Sequence, residues 1–236
     1  MHIHRFFRKF IPWWARYYHQ LQISGMNNIP KKGSAIIAPN HSGGFDYDNF
    51  TLMSVLEHFA GNNAARKKVW LCYHDKWVYY PGWGDLVQQF SPIPINLEGK
   101  GIPWKLIDYI VKKGELIGIM PEGHSNCIWE RYNLWRFYPG VIKLHLRYEI
   151  PIIPTAMIGF VNACPITSVR YNPEKIPPWD NEVMIIPPIV PQKLKIIYGK
   201  PIEFSEYFGK SVTKQGMYEL AAIVRVKVKE LIQKNL

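Results

Sequence analysis

The chain has 236 residues, with 29 Lys or Arg against 18 Asp or Glu, a formal net charge of +11, and 14% aromatic residues. That length suits a single domain around one sizeable core, and no internal repeat or low-complexity tract divides it. The positive excess suits an anionic partner such as nucleic acid, an acidic membrane surface, coenzyme A or an acidic carrier protein; the lack of zinc-finger spacing, of an RNA-binding aromatic signature and of a dense Lys/Arg helix argues against nucleic acid.

The N-terminal segment is amphipathic. Phe6, Phe10, Trp13, Tyr17 and Leu21 fall along one helical stripe, with Phe7, Ile11, Trp14 and Tyr18 beside it and Arg5, Arg8, Lys9 and Arg16 interleaved. The first 45 residues contain six basic and no acidic residues. Large aromatics mixed with Lys and Arg suit a segment lying in the headgroup region, too short and too charged to span a bilayer. Residues 1–21 are therefore expected to meet a membrane surface, and residues 22–236 to form the main folded domain. The competing expectation is a helix packed on the domain's own core. Pro12 would kink such a helix or begin a second one.

Ser34 to Ala38 reads as a short buried strand ended by Pro39. Next comes Asn40-His41-Ser42-Gly43-Gly44-Phe45-Asp46-Tyr47-Asp48. Downstream, Leu52, Val55, Leu56 and Phe59 mark one apolar helix face. On a continuous helix, five steps would leave His41 and Asp46 about 140° apart. The two glycines let the backbone turn sharply and bring the carboxylate back to the ring. A carboxylate on one ring nitrogen fixes the tautomer and frees the other nitrogen to take a proton, which equips His41 as a general base for a hydroxyl. The plainer alternative is that Asp46 or Asp48 only caps the helix and His41 only satisfies the turn.

Further strands are expected at Val69–Tyr73, Ile93–Ile95, Leu116–Met120, Ile152–Ile158 and Leu194–Tyr198. Helices are expected near 50–60, 82–90, 102–113, 138–148 and 212–234. This alternation predicts a single-domain α/β sandwich with a largely parallel or mixed central sheet flanked by helices. Pro121-Glu122-Gly123 breaks the 116–120 strand abruptly. A glutamate there is well placed to hold a substrate hydroxyl, near backbone N–H groups available to an oxyanion; an ordinary turn is the alternative. Ile150 to Val169 carries no charge, but Pro151, Pro154 and Pro165 argue for a buried strand and loop over a membrane span. Prolines 173, 177, 178, 187, 188 and 191 mark a long surface excursion, where Trp179, Ile185 and Ile186 are candidates for lipid contact. The last helix places Leu220, Val224 and Leu231 on one side. Cys72, Cys127 and Cys164 show no CxxC pairing and no secretory leader is evident, so a reducing cytosolic setting and roles as core fillers are expected.

Taken together, these motifs resemble those of the glycerolipid acyltransferases, which acylate glycerol 3-phosphate and lysophosphatidic acid. The first family motif, Asn-His-x-x-x-x-Asp, is matched by Asn40, His41 and Asp46, and the third by Pro121, Glu122 and Gly123. Pro81 to Ile95 is similar to the glycine-containing helix and strand of the second. Val141 to Leu144 with Ile150 to Ala156 is similar to the fourth. The likeness covers roughly residues 22 to 205.

The resemblance implies direct acyl transfer from acyl-CoA or acyl-carrier protein, a co-substrate and not a bound cofactor, with no metal. His41, oriented by Asp46, would deprotonate a lipid alcohol, and Asn40, Pro121, Glu122 and Gly123 would surround the acceptor. A peripheral enzyme on the cytoplasmic face of a membrane, with no spanning helix, is implied. Where the family has arginines, this chain has Asn96 and Ser125, which contact substrate in that reading but cannot pair bidentately with phosphate. Lys100, Arg131, Arg136 and Lys143 are the cations available instead, and a phosphate-free acceptor becomes an option. Two other readings stay open: a metal-assisted hydrolase in which His41, Asp46, Glu122 and His124 converge on a cation, and a non-catalytic lipid-binding member of the fold.

Overall fold

A computed structural model describes residues 3–60, 68–96, 101–174, 178–180 and 189–236. In chain order its elements are α1 (Ile3–Tyr17), β1 (Gln22–Ser24), β2 (Ile36–Pro39), α2 (Tyr47–Ala60), β3 (Val69–His74), α3 (Asp75–Val78) and α4 (Trp83–Gln88). There follow β4 (Pro92–Ile95), α5 (Trp104–Lys112), β5 (Leu116–Gly118), α6 (Gly140–Tyr148), β6 (Ile152–Ile158) and α7 (Phe160–Ala163). The chain closes with β7 (Arg170–Tyr171), β8 (Trp179–Asp180), β9 (Lys195–Tyr198) and α8 (Lys214–Asn235).

Seven strands form one sheet in the order β1-β9-β6-β2-β5-β3-β4. Every pairing in it is parallel except β6 with β9. This is the largely parallel sheet the apolar runs predict: strands covered on both faces read as continuous hydrophobic stretches, and β6 is buried at all seven positions. Alternate residues face opposite layers. Ile37, Leu116, Ile153 and Met157 join one apolar cluster with α2; Ile36, Ala38, Ile117 and Ile152 join another with α5, α6 and α8.

α2 is buried nearly all round, because α1 covers the side turned away from the sheet. Ala15 of α1 is fully buried, and Ile11 and Trp14 pack against the α2 cluster. So the N-terminal helix packs on the core with one side while Trp13 and Tyr17 stand 55% and 65% exposed on the other. The helix runs through Pro12 without a break. The side chains of residues 3–8, with Phe6, Phe7, Arg5 and Arg8, lie outside the described residues. On α8 the buried residues are Leu220, Ala221, Val224, Val228 and Ile232, with Leu231 only partly covered. No helix among the described residues is long and apolar enough to cross a membrane.

The proline-rich excursion contains a two-residue ribbon, β7 with β8. Lys100, Pro177, Pro187, Pro188, Ile185 and Ile186 lie outside the described residues, as does the side chain of Trp179. All three cysteines are free, and Cys127 and Cys164 are buried.

Candidate active site

β2 and β5 are adjacent and parallel, so Asn40-His41 and Pro121-Glu122-Gly123 leave the sheet at the same edge, beside the end of β6. Open α/β sheets present functional groups at that carboxyl edge. The backbone after His41 coils tightly. Gly43, Phe45 and Asp46 have φ of 94°, 52° and 49°. A Cβ on Gly43 would lie 2.9 Å from the Phe160 carbonyl oxygen, so only glycine fits.

The coil carries the first turn of α2 back over the tip of β2 and overturns one expectation. The carboxylate on the imidazole is Asp48, not Asp46: His41 Nδ1 lies 2.7 Å from Asp48 Oδ2, which also accepts the Ser42 N–H at 2.8 Å. Two successive left-handed residues turn Asp46 toward α2, where its Oδ1 accepts from Asn49 Nδ2 at 3.0 Å. Asp46 acts on the ring only through its nearby charge. Asp48 was legible in the sequence only as a helix cap; its second role follows from α2 beginning at Tyr47, three residues before the apolar pattern shows it.

Because Asp48 Oδ2 accepts, Nδ1 carries the proton and Nε2 is the basic nitrogen. Nε2 has no hydrogen-bond partner among the described residues. The His41 side chain is 14% exposed while Asp48 is wholly buried, so the ring alone meets solvent. Burial acts to lower the His41 pKa; the charge and hydrogen bond of Asp48, with smaller help from Asp46 and Glu122, overcome it and lift the ring to about 9. Burial lifts Asp46 to about 6, against the charge of His41.

Glu122 is not open to a substrate. It is 1% exposed, and its two oxygens accept the backbone N–H of His41 at 3.0 Å and of Trp135 at 2.8 Å. It ties His41, two residues past β2, to a segment thirteen positions downstream of itself. Burial pushes its carboxyl up to about 8, against the pull of those two N–H groups and of His41. Gly123, at φ 62°, makes the turn, and the carbonyl of Pro121 accepts from Tyr138 N–H at 2.7 Å. Asn40 is likewise a strut: its amide exchanges two hydrogen bonds with the Met157 backbone on β6, at 3.0 and 2.7 Å.

Ser125 and Asn96, expected to contact substrate, are also engaged with protein partners. Ser125 is buried and its hydroxyl donates to the Gly43 carbonyl at 2.7 Å. Asn96 directly follows β4, which lies three strands from β2, or roughly 14 Å away. Its amide donates to Asp75 at 2.5 Å. Arg131 and Lys143 are exposed, and Arg136 lies over the rings of Tyr138 and Tyr218 at 5.0 and 5.9 Å. The four-residue convergence on a cation is not found. Among the described residues the metal-competent group is His124, Cys127 and Glu130, and His41, Asp46 and Glu122 are not in it.

The sequence model of the family described as Acyltransferase matches residues 20–158, more than half of the chain. An uncharacterized protein of Mycobacterium tuberculosis (strain ATCC 25618 / H37Rv) is 25% identical over 215 residues, covering 85% of this chain and 57% of that protein. An uncharacterized protein of Mycobacterium leprae (strain TN) is 23% identical, covering 85% and 55%. The chain thus spans little more than half the length of these curated relatives. Among solved structures, the 1-acyl-sn-glycerophosphate (LPA) acyltransferase PlsC from Thermotoga maritima is similar in fold. Its TM-score is 0.57 at 15% identity, over 97% of this chain and 80% of that one.

Proposed function

The chain belongs to the acyltransferase family, and from that premise we propose that it moves a fatty acyl group from an acyl thioester to a lipid hydroxyl, with His41 as general base and Asp48 as its orienting acid. The observation that carries this reading is the 2.7 Å contact of His41 Nδ1 with buried Asp48, which leaves Nε2 as the basic nitrogen at the sheet edge. In the proposed step Nε2 takes the hydroxyl proton of the acceptor, and the oxygen attacks the thioester carbonyl. The tetrahedral intermediate then collapses, the carbon–sulfur bond breaks, and the imidazolium returns its proton to the departing thiolate. The products are an ester and a free thiol, with no covalent enzyme intermediate. Base assistance of this kind is worth on the order of 10²–10⁴ in rate.

The acceptor we propose is a lipid alcohol without a phosphate. Ser125 and Asn96 are both engaged with protein partners, and the partner of Asn96 is the carboxylate of Asp75, which would repel a phosphate. The donor is acyl-CoA or acyl-carrier protein. Exposed Trp13, Tyr17 and Phe45, with the basic N-terminal stretch, support a peripheral seat on the cytoplasmic face of a membrane, helix axis along the surface.

The test is to incubate the purified protein with labelled acyl-CoA or acyl-carrier protein. Acceptors are diacylglycerol, monoacylglycerol and lysophosphatidic acid in vesicles. An esterified product is expected from the phosphate-free acceptors and should vanish in folded His41→Ala. Turnover preserved in that variant would refute the base assignment; vesicle binding with no product from any acceptor would favour a non-catalytic lipid-binding role. Preference for lysophosphatidic acid would overturn the acceptor assignment alone.

A further inference from the structure

The seven residues from His124 to Glu130 carry three side chains that the acyl-transfer chemistry does not use. A ring nitrogen of His124, Cys127 Sγ and a carboxylate oxygen of Glu130 lie within 4.8 Å of one another, and all three residues are buried. The His124 Nε2 to Glu130 Oε2 separation is 3.5 Å. That is long for a hydrogen bond between such groups. It matches an edge of a tetrahedron about Zn²⁺, where metal–nitrogen and metal–oxygen bonds of about 2.0–2.2 Å put ligand atoms about 3.3–3.6 Å apart.

We propose that His124, Cys127 and Glu130 bind one borderline divalent cation, zinc by ligand type, and that this ion fastens the segment from 122 to 135 behind His41. The ligands suit the ion in charge: one thiolate and one carboxylate balance a divalent cation, and the imidazole stays neutral. Sulfur, nitrogen and oxygen together favour Zn²⁺ over Ca²⁺ or Mg²⁺, which take oxygen alone. Binding releases the thiol proton to solvent as the metal–sulfur bond forms.

The surroundings hold the carboxylate as metal sites hold theirs. Glu130 Oε2 accepts the Cys127 backbone N–H at 2.7 Å, and Oε1 accepts the indole N–H of Trp135, which lies edge-on to the His124 ring. Glu130 also lines a surface cleft of about 500 Å³, together with Trp129, Trp135, Arg136 and Arg225.

The same segment frames the base. Asn126 N–H donates to the His41 carbonyl at 2.9 Å, and Glu122 links the His41 and Trp135 backbones. Cross-linking 124, 127 and 130 would therefore stiffen both backbone hydrogen bonds of His41.

The full chain, reduced and stripped with a chelator, should take up one equivalent of Zn²⁺ and melt at a higher temperature with it. Co²⁺ should give a thiolate-to-cobalt charge-transfer band, lost in Cys127→Ser. Trp135→Phe should fold and bind Zn²⁺ about 10–100-fold more weakly. In the wild-type chain Zn²⁺ should shield Cys127 from alkylation, leaving Cys72 and Cys164 as internal controls. Failure to bind one equivalent, a cobalt spectrum without the thiolate band, or alkylation of Cys127 at the same rate with and without Zn²⁺ would each overturn the proposal. None of these readouts depends on acyl transfer.

Discussion

Replacing Asp48 by Asn, with Asp46→Asn beside it, separates two carboxylates only two positions apart. Asp48 Oδ2 accepts both the His41 ring N–H and the Ser42 N–H, at 2.7 and 2.8 Å, in a fully buried position. An amide keeps the size but loses the charge. If its NH₂ faces the ring, the imidazole answers by moving its proton to Nε2, the atom that must be free to act as base. A wrong tautomer of this kind costs on the order of 10⁴ in rate. Hydrogen bonds to a charged group contribute about 1.5–3 kcal/mol each. Weakening the pair should therefore also lower Tm, at about 2–4 °C per kcal/mol for a domain of this size. Asp46 touches Asn49 and not the ring, so Asp46→Asn should stay within about tenfold of wild type, under 1.4 kcal/mol of barrier. The assay is the initial rate of ester formation from labelled acyl thioester, on protein shown to be folded by circular dichroism below both melting points. A larger loss in Asp46→Asn than in Asp48→Asn would refute the reasoning.

Three other outcomes follow from the same geometry. The base must be neutral and its pKa is raised from 6.5 to about 9, so transfer should climb with pH through that interval and level off above it. Asp48→Asn should move the inflection down, since burial then dominates. The linked stability has the opposite sense: the His41–Asp48 contribution is full below 6.5 and is lost as pH rises through about 9, as pH-dependent melting would record. Glu122→Gln keeps one acceptor oxygen and sets an NH₂ against a backbone N–H, so about 1–3 kcal/mol of stability should be lost, with the KM for the acceptor unchanged. An unchanged Tm with a raised KM would return Glu122 to substrate binding. Trp13→Ser with Tyr17→Ser should weaken flotation with anionic vesicles while Tm stays put, because both side chains stand in solvent; undiminished flotation would exclude the outer side of α1 from lipid contact.

The buried strands were legible because a parallel strand covered on both faces has to be apolar throughout; Ile152 to Ile158 was readable to the residue. β1 was not, since Gln22, Ile23 and Ser24 carry a single apolar residue between polar ones at a sheet edge. α2 begins before its pattern does: Tyr47, Asp48 and Asn49 are buried as part of the site, with no apolar period to announce them. The site's motifs were visible, but the partners of its residues were not. Asn40 bonds a residue 117 positions away, Ser125 one 82 away and Glu122 one 81 away. Each looked ready for a substrate because nothing local satisfied it. The partners come from neighbouring strands, and strand order is not written in local spacing. The shift from Asp46 to Asp48 has the same origin, in two left-handed residues that no composition rule requires.

The placement of α1 bears on how the proposed membrane seat can be tested. Its inner side roofs the helix that carries Asp48, with Ala15 sealed in, and His19, just past its end, has its ring 5.4 Å from that of Tyr47. Trimming the first twenty residues would not simply unhook the protein from a bilayer. It would strip the insulation from α2, letting water reach the layer beneath and slackening the mount of Asp48, so any loss of vesicle binding and any loss of turnover would arrive together from a single cut.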